Sequence, residues 1–459
     1  MKKTRTAALF LLTLSAVIAA GGGPEDCFAG QNRETILRIH GSNTVGAQLA
    51  PDLAAALLKK LGADSVKKIE ITPGVETNVE GHFSAADQTK VIEVRAHGSS
   101  TAFSCLKNGT CDIGMASRKI KEDEAQSLAD LGDMTGSGSE HVLAMDGVAV
   151  IVNTANTAAA KMDFTALADV FSGKIANWSQ LGGKDAPIAI HARDEKSGTH
   201  DTFQSIVLGK RALAASAVRY ESNEALSAAV SADVNAIGYC GLPYVKHNKV
   251  LAIADGASPV RPTVFTVATE DYPVSRRLYL YAPAPQENTS YAQQFIAFAL
   301  GSEGQTQVKQ HRFIDLTIAA EEFAVEMPDD SSPQIAKYLS AVRGAQRLSA
   351  NFRFKGETLE LDNRALRDIE RMAIFLAGNK EITTLVLAGF SDRQAGMDST
   401  QTLDLSCKRA EAVKAAALKS LPQGVKISDV LCVGDAVPVA SNDSERGREK
   451  NRRVEVWVK

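Results

Sequence analysis

From Thr35 to about Leu316 the chain alternates short β-rich runs with stretches whose apolar residues recur at helical spacing. That alternation restricts this part to an α/β architecture. Glu34 to His40 reads as a strand and Gln48 to Leu61 as the helix after it. Val142 to Val152 is a second strand, and Thr165 to Phe171 a short helix. Ile188 to His191 is a strand running into a loop at Arg193, after which Thr199 to Leu208 resumes as a helix. Ile69-Glu70-Ile71 and Val91-Ile92-Glu93-Val94 flank a polar stretch, Thr77 to Thr89, and form either a hairpin or an insertion.

At 459 residues there is room for two or three domains. The acidic, Pro- and Ser-bearing stretch Met327-Pro328-Asp329-Asp330-Ser331-Ser332-Pro333 marks the break. The expected division is a signal segment at 1–29, a first domain at 35–318, a linker at 319–345 and a last domain at 346–459. In the last domain, Leu361 to Leu376 and Leu403 to Leu418 read as helices. Thr383 to Ala388, Val430 to Val433 and Val454 to Val458 read as strands. The linker predicts that each domain folds alone.

Lys2, Lys3 and Arg5 ahead of the apolar run Ala7 to Ala20 form a secretory signal, with cleavage after Ala20 or Ala29. No later run reaches about 18 apolar residues, so the mature protein is expected to be soluble. A net charge of −3 argues against a broad nucleic-acid-binding face. Export makes disulfides admissible. Cys105 with Cys111, and Cys407 with Cys432, are the candidate pairs, the alternative being reduced and buried thiols. Cys240 is left over as a buried thiol, and no spacing suggests a zinc site.

Three small-residue loops each run into a helix: Gly41-Ser42-Asn43-Thr44, Gly98-Ser99-Ser100 and Arg193-Asp194-Glu195-Lys196-Ser197-Gly198-Thr199. Backbone N–H groups at helix starts, Ser and Thr hydroxyls and one arginine suit a small tetrahedral anion. Glu195 is placed to steady the Arg193 guanidinium, and His200 is a further donor. The plainer reading is three ordinary helix N-caps. Together with Asp112-Ile113-Gly114-Met115-Ala116-Ser117-Arg118, Asp146-Gly147-Val148-Ala149-Val150 and Phe171-Ser172-Gly173-Lys174-Ile175-Ala176-Asn177-Trp178, these segments resemble the periplasmic phosphate-binding proteins of ABC importers, the PstS-like group. The resemblance covers about Leu37 to Leu316. It implies two α/β lobes closing on one anion, with contacts carried onto Thr44, Val45, Ser99, Arg193, Ser197, Gly198 and Thr199. Arg118 stands where some members of the group have a proton-accepting aspartate, so Arg118 joins the candidate site and discrimination against sulfate is expected to be weaker.

The C-terminal segments Gly389-Phe390-Ser391-Asp392, Leu405-Ser406-Cys407-Lys408-Arg409-Ala410, Gly434-Asp435-Ala436-Val437-Pro438 and Asn451-Arg452-Arg453-Val454-Glu455 resemble the OmpA-like peptidoglycan-binding domain, a small α+β fold. The resemblance assigns Asp392 to the ammonium and Arg409 to the carboxylate of a diaminopimelate stem, the alternative being a salt bridge between the two inside the domain. Asn451, Arg452 and Arg453 are expected to order loops, and Thr402 stands where the family often has asparagine.

The whole therefore reads as an α/β, two-lobed periplasmic-binding-protein fold followed by a small α+β OmpA-like domain. The expected function is an exported, non-catalytic phosphate-binding protein held non-covalently to peptidoglycan in the periplasm, near the outer membrane, serving an ABC permease or sensing phosphate. The alternatives are an envelope structural protein whose first domain binds another anion or none, and a hydrolase using Ser197 or His200. No strand-Gly-x-Ser-x-Gly-helix elbow supports the hydrolase. No catalytic residue, metal or cofactor is expected.

Overall fold

The computed structural model describes residues 32–195, 197–284, 290–323 and 332–459. The signal segment at 1–29, Cys27, and Met327 to Ser331 of the linker lie outside the described residues.

One strand organises the first unit. Glu140–Asn153 is buried along nearly its whole length, as its unbroken apolar run Val148-Ala149-Val150-Ile151-Val152 requires of a strand covered on both faces. Val148, Val150 and Val152 face a core with Phe171, Trp178 and Phe203. Ala149 and Ile151 face Leu226 and Val230 on the other side. Residues 140–147 pair antiparallel with Ser275–Tyr281, whereas 148–152 pair with Ala236–Gly241. The strand thus passes from one lobe into the other.

The first lobe continues through Ile113–Ala116, Arg33–Gly41, Gln88–Arg95, Glu76–Phe83 and Ser65–Thr72, and the second through Ala189–Arg193 and Val218–Tyr220. The Ile69 to Val94 region resolves as an antiparallel meander at the sheet edge. Lysines and a glutamate on its outer strand keep that edge solvated. The helix Leu49–Lys60 buries Leu49, Leu53 and Leu57 at helical spacing and places Lys59 and Lys60 in its last turn, where cations oppose the helix dipole.

The C-terminal unit is a five-stranded sheet in the order Ala320–Glu322, Gln346–Arg353, Arg453–Val458, Thr384–Phe390, Lys426–Gly434. Helices Asn363–Gly378 and Ser399–Ala417 cover one face with Ile369, Met372, Leu376, Ala410 and Val413. Helix Pro333–Val342 covers the other, setting Tyr338 against Phe390 and Trp457. The stretch expected to be a linker therefore contributes a strand and a helix to this unit. Cys105–Cys111 and Cys407–Cys432 are disulfides, and Cys240 is a buried free thiol.

The expectation of two independent units is corrected by how they dock. Glu270 takes Arg277 at 2.7 Å from its own unit, and Arg364 at 2.6 Å and Arg353 at 3.2 Å from the C-terminal one. Asp271 pairs with Arg347 at 2.8 Å and accepts from Asn351 at 3.0 Å. Arg277 also pairs with Asp362 at 2.8 Å. These ion pairs and hydrogen bonds span the seam and tie the two units to each other.

Candidate functional site

Two glycines bring the first lobe's donor loops together. Gly41 has φ 137°, and a Cβ there would lie 2.0 Å from the Met115 carbonyl oxygen, so only glycine lets the strand turn into the short helix Asn43–Gly46. Gly98, at φ 106°, donates its N–H to the Gly41 carbonyl at 2.8 Å. Ser99 then opens the helix Ser99–Lys107, and its Oγ accepts from the Ser117 N–H at 3.0 Å.

The second lobe supplies Ser197, whose Oγ accepts from the Thr199 and His200 N–H groups and caps the helix Gly198–Phe203. The N-cap reading of Ser197 is therefore what this structure contains. The two lobes meet at Gly198, where a Cβ would fall 1.9 Å from Thr44 Oγ1. Val45 behind Thr44 is wholly buried and packs in the first lobe's core.

Arg276, which sequence reasoning missed, sits at this junction. Its guanidinium donates to the Gly198 carbonyl from one lobe and to Thr44 Oγ1, at 3.1 Å, from the other. Asp146 holds it through two bonds of 3.0 and 2.7 Å. Both side chains are buried. The available signal was the adjacent pair Arg276-Arg277 at the head of a strand that continues Leu278-Tyr279-Leu280-Tyr281, with Arg276 opposite the Asp146 that the sequence did single out.

The other candidates fall in three positions. Arg193 is buried, but its guanidinium donates to the carbonyls of Tyr220 at 3.2 Å and Glu221 at 2.7 Å. Burial pulls its pKa down, with Asp194 acting the other way. Glu195 does not hold it; Glu195 is exposed and pairs with Arg219 at 3.2 Å. His200 turns inward to the Tyr239 hydroxyl at 2.7 Å, and burial lowers its pKa. Arg118 forms a two-bond pair with Glu124, at 2.6 and 2.7 Å, and stacks over Phe103. Burial opposes ionisation of Glu124, but the bonds from Arg118 and the Lys121 N–H outweigh it and hold its pKa below the usual carboxylate range. Ser99, Ser117, Arg118 and Arg276 line a cavity of about 810 Å³ whose far wall belongs to the C-terminal unit.

In the C-terminal unit Asp392 and Arg409 do meet, at 3.4 Å, with no exposure of either. Arg452 pairs with the second Asp392 oxygen at 3.1 Å. Burial, aided by the Arg452 charge, lowers the Arg409 pKa to about 10 despite Asp392. Among the described residues, Nε and Nη2 of Arg409 meet no acceptor. Asn451 orders a loop by accepting from the Val439 and Ala440 N–H groups, and Arg453 stacks on Phe390.

This architecture, a long shared strand with donor loops at the lobe junction, coincides with a family match. Residues 71–303 match the PBP superfamily domain. The chain belongs to the PBP superfamily. The phosphate-binding protein PstS of Bacillus subtilis (strain 168) is 27% identical over 67% of this chain and 92% of its own length. PstS of Staphylococcus epidermidis (strain ATCC 35984) is 28% identical over 45% of this chain and 65% of its own. An ABC-type phosphate transport receptor from Vibrio cholerae is 24% identical and aligns over 61% of this chain and 99% of its own with a TM-score of 0.46. These relatives are non-enzymatic substrate-binding proteins, and this PBP-superfamily chain is a binding protein of the same kind rather than an enzyme.

Proposed function

We propose that this chain binds a tetrahedral oxyanion, phosphate, where its two lobes meet, and that its C-terminal unit holds it on peptidoglycan. The observation that carries the first part is the meeting of Thr44 and Gly198, from opposite lobes, around the Asp146-held guanidinium of Arg276. Helix starts at Asn43, Ser99 and Gly198 bring N–H donors to the same region. The phosphate-binding relatives favour phosphate as the anion and delivery to an ABC permease as the purpose. The first unit, 35–318, is then the solute binder and 346–459 the wall-binding unit of an exported periplasmic protein.

For the wall, the unpaired Nε and Nη2 of Arg409 are donors suited to a stem-peptide carboxylate, and Asp392, now shared by Arg409 and Arg452, would exchange one of them for the ammonium. Entry requires the enclosing loops to open.

The test uses the full chain, freed of bound anion. Phosphate should raise its melting temperature, and Gly198→Ala, which drives a methyl into Thr44, should abolish the shift. An unchanged melting temperature in the wild type would refute the anion reading. Sedimentation of the chain with diaminopimelate-type sacculi, lost in Arg409→Lys, tests the wall reading separately.

A further inference from the structure

The cavity at the lobe junction is far larger than an orthophosphate needs. At about 810 Å³ it lies in the size range of pockets that hold organic ligands, roughly 300–1,000 Å³. It is also a composite. Ser99, Ser117, Arg276 and the carboxyl of Asp201, whose pKa burial raises, form one end, and Arg353, Arg446 and Lys450 of the C-terminal unit form the other.

The far end carries uncompensated positive charge. Arg446 and Lys450 lie one turn apart on the helix Glu445–Asn451. Lys450 is 6% exposed. Among the described residues no carboxylate comes within salt-bridge distance of either cation. Lys450 Nζ donates instead to the Tyr272 and Pro273 carbonyls, at 2.9 and 3.2 Å, and Arg446 donates to the Pro273 carbonyl. Of the acids near this end, Glu270 already faces three arginines and Asp362 is paired with Arg277, while Glu449 acts on Arg446 only from beyond salt-bridge range. Asp255 faces both cations from beyond salt-bridge range, and burial raises its pKa. Burial, with Arg446 and Arg353 as neighbours, pushes the Lys450 pKa well down. A buried lysine and a part-buried arginine with no carboxylate in contact are costly to keep, and an anion in the cavity would offset that cost.

We propose that this cavity takes an elongated ligand with two anionic groups, a phosphoryl group at the Ser99, Ser117 and Arg276 end and a second acidic group at Arg446 and Lys450. The proposal rests on the oxyanion reading of the lobe junction and extends it to a ligand class: phosphate esters bearing a carboxylate, or condensed phosphates. The C-terminal unit is then part of the ligand site as well as an anchor.

Calorimetry of the full chain with four probes tests this. 3-Phosphoglycerate carries a phosphoryl group and a carboxylate; glycerol 3-phosphate matches its size without the carboxylate. Pyrophosphate represents the condensed phosphates, and orthophosphate is the reference. The expected result is that 3-phosphoglycerate or pyrophosphate binds at least about ten-fold more tightly than glycerol 3-phosphate, and the tighter of the two names the source. Arg446→Gln and Lys450→Gln should erase that preference without moving orthophosphate affinity, and Lys450→Arg should retain it. If orthophosphate binds but glycerol 3-phosphate binds the wild type as tightly as 3-phosphoglycerate and pyrophosphate do, the inference fails and the oxyanion reading stands. If orthophosphate does not bind either, both fail.

Discussion

Arg276 and Arg277 are consecutive on one strand and serve opposite sides of it. Arg276 reaches Asp146, Thr44 and Gly198 at the lobe junction, whereas Arg277 reaches Glu270 and Asp362 at the seam with the C-terminal unit. A strand's period of two makes this division automatic. The anion site and the domain seam therefore share a backbone segment, and a disturbance on either side of it reaches the other within one residue.

Arg276→Ala should remove anion binding and also destabilise the protein, because Asp146 is left as a buried carboxylate without its partner. The expected stability loss is about 3–5 kcal/mol. Arg276→Lys keeps the charge and should recover part of the stability while still weakening binding, since one ammonium cannot span Thr44, Gly198 and Asp146 together. Urea denaturation and calorimetry on the two variants check this.

Arg118→Ala should weaken phosphate binding less than Arg276→Ala does. Its charge is already matched by Glu124, so little of it is free for a ligand. Glu124→Gln should release that charge and strengthen binding of fully ionised anions such as sulfate relative to the wild type. An unchanged sulfate affinity in Glu124→Gln would show that Arg118 does not act on the anion.

Stability should fall in two steps on acidification. His141 is buried on the shared strand, and burial, with the Arg367 charge, lowers its pKa to about 4. Its folded pKa is below the unfolded value of about 6.5, so the unfolded chain binds the extra proton first. This contribution is intact above about pH 6.5 and is lost as the pH falls towards 4, by about 3 kcal/mol. Glu270 behaves as a paired carboxylate. Burial opposes its ionisation, yet Arg277, Arg353 and Arg364 hold its pKa far below the ordinary range. Its contribution is present above about pH 4.5 and is lost below it. His141→Gln should shrink the first step, to which the buried His200 also contributes, and leave the second, as read from chemical denaturation between pH 3 and 8.

Asp392→Ala should cost about 3–5 kcal/mol in the C-terminal unit, because Arg409 and Arg452 both lose their shared carboxylate in a buried setting. A stability within about 0.5 kcal/mol of wild type, the range of an ordinary surface substitution, would show that this site is open to water in solution.

Much of the fold was legible in the sequence because its cues are local. The apolar run within Val142 to Val152 marked a strand, which the structure buries on both faces, and apolar residues at helical spacing from Gln48 to Leu61 marked the helix Leu49–Lys60. The donor loops were legible because each is a short run of small residues, Gly, Ser and Thr among them, leading into a helix, and the structure shows why glycine stands at 41 and 98, both at positive φ. What was not legible depends on chain segments far apart in sequence. Arg276 lies 232 residues from Thr44. Glu270 meets Arg364 94 residues further on. Nothing in the residues around Arg193 foretold that its guanidinium would be taken by the Tyr220 and Glu221 carbonyls. The linker was misjudged for a related reason. Its polar residues suggested separation, while Ser332 caps a helix whose Tyr338 belongs to the C-terminal core.

The most direct test of the central claim is titration calorimetry of the full chain, freed of bound anion, with phosphate, sulfate and molybdate. A single site per chain with phosphate bound tightest is expected, with a loss of tens- to hundreds-fold, about 2–4 kcal/mol, in Arg276→Lys. Wild-type protein that is folded by circular dichroism and gives no heat with any of the three anions would contradict it.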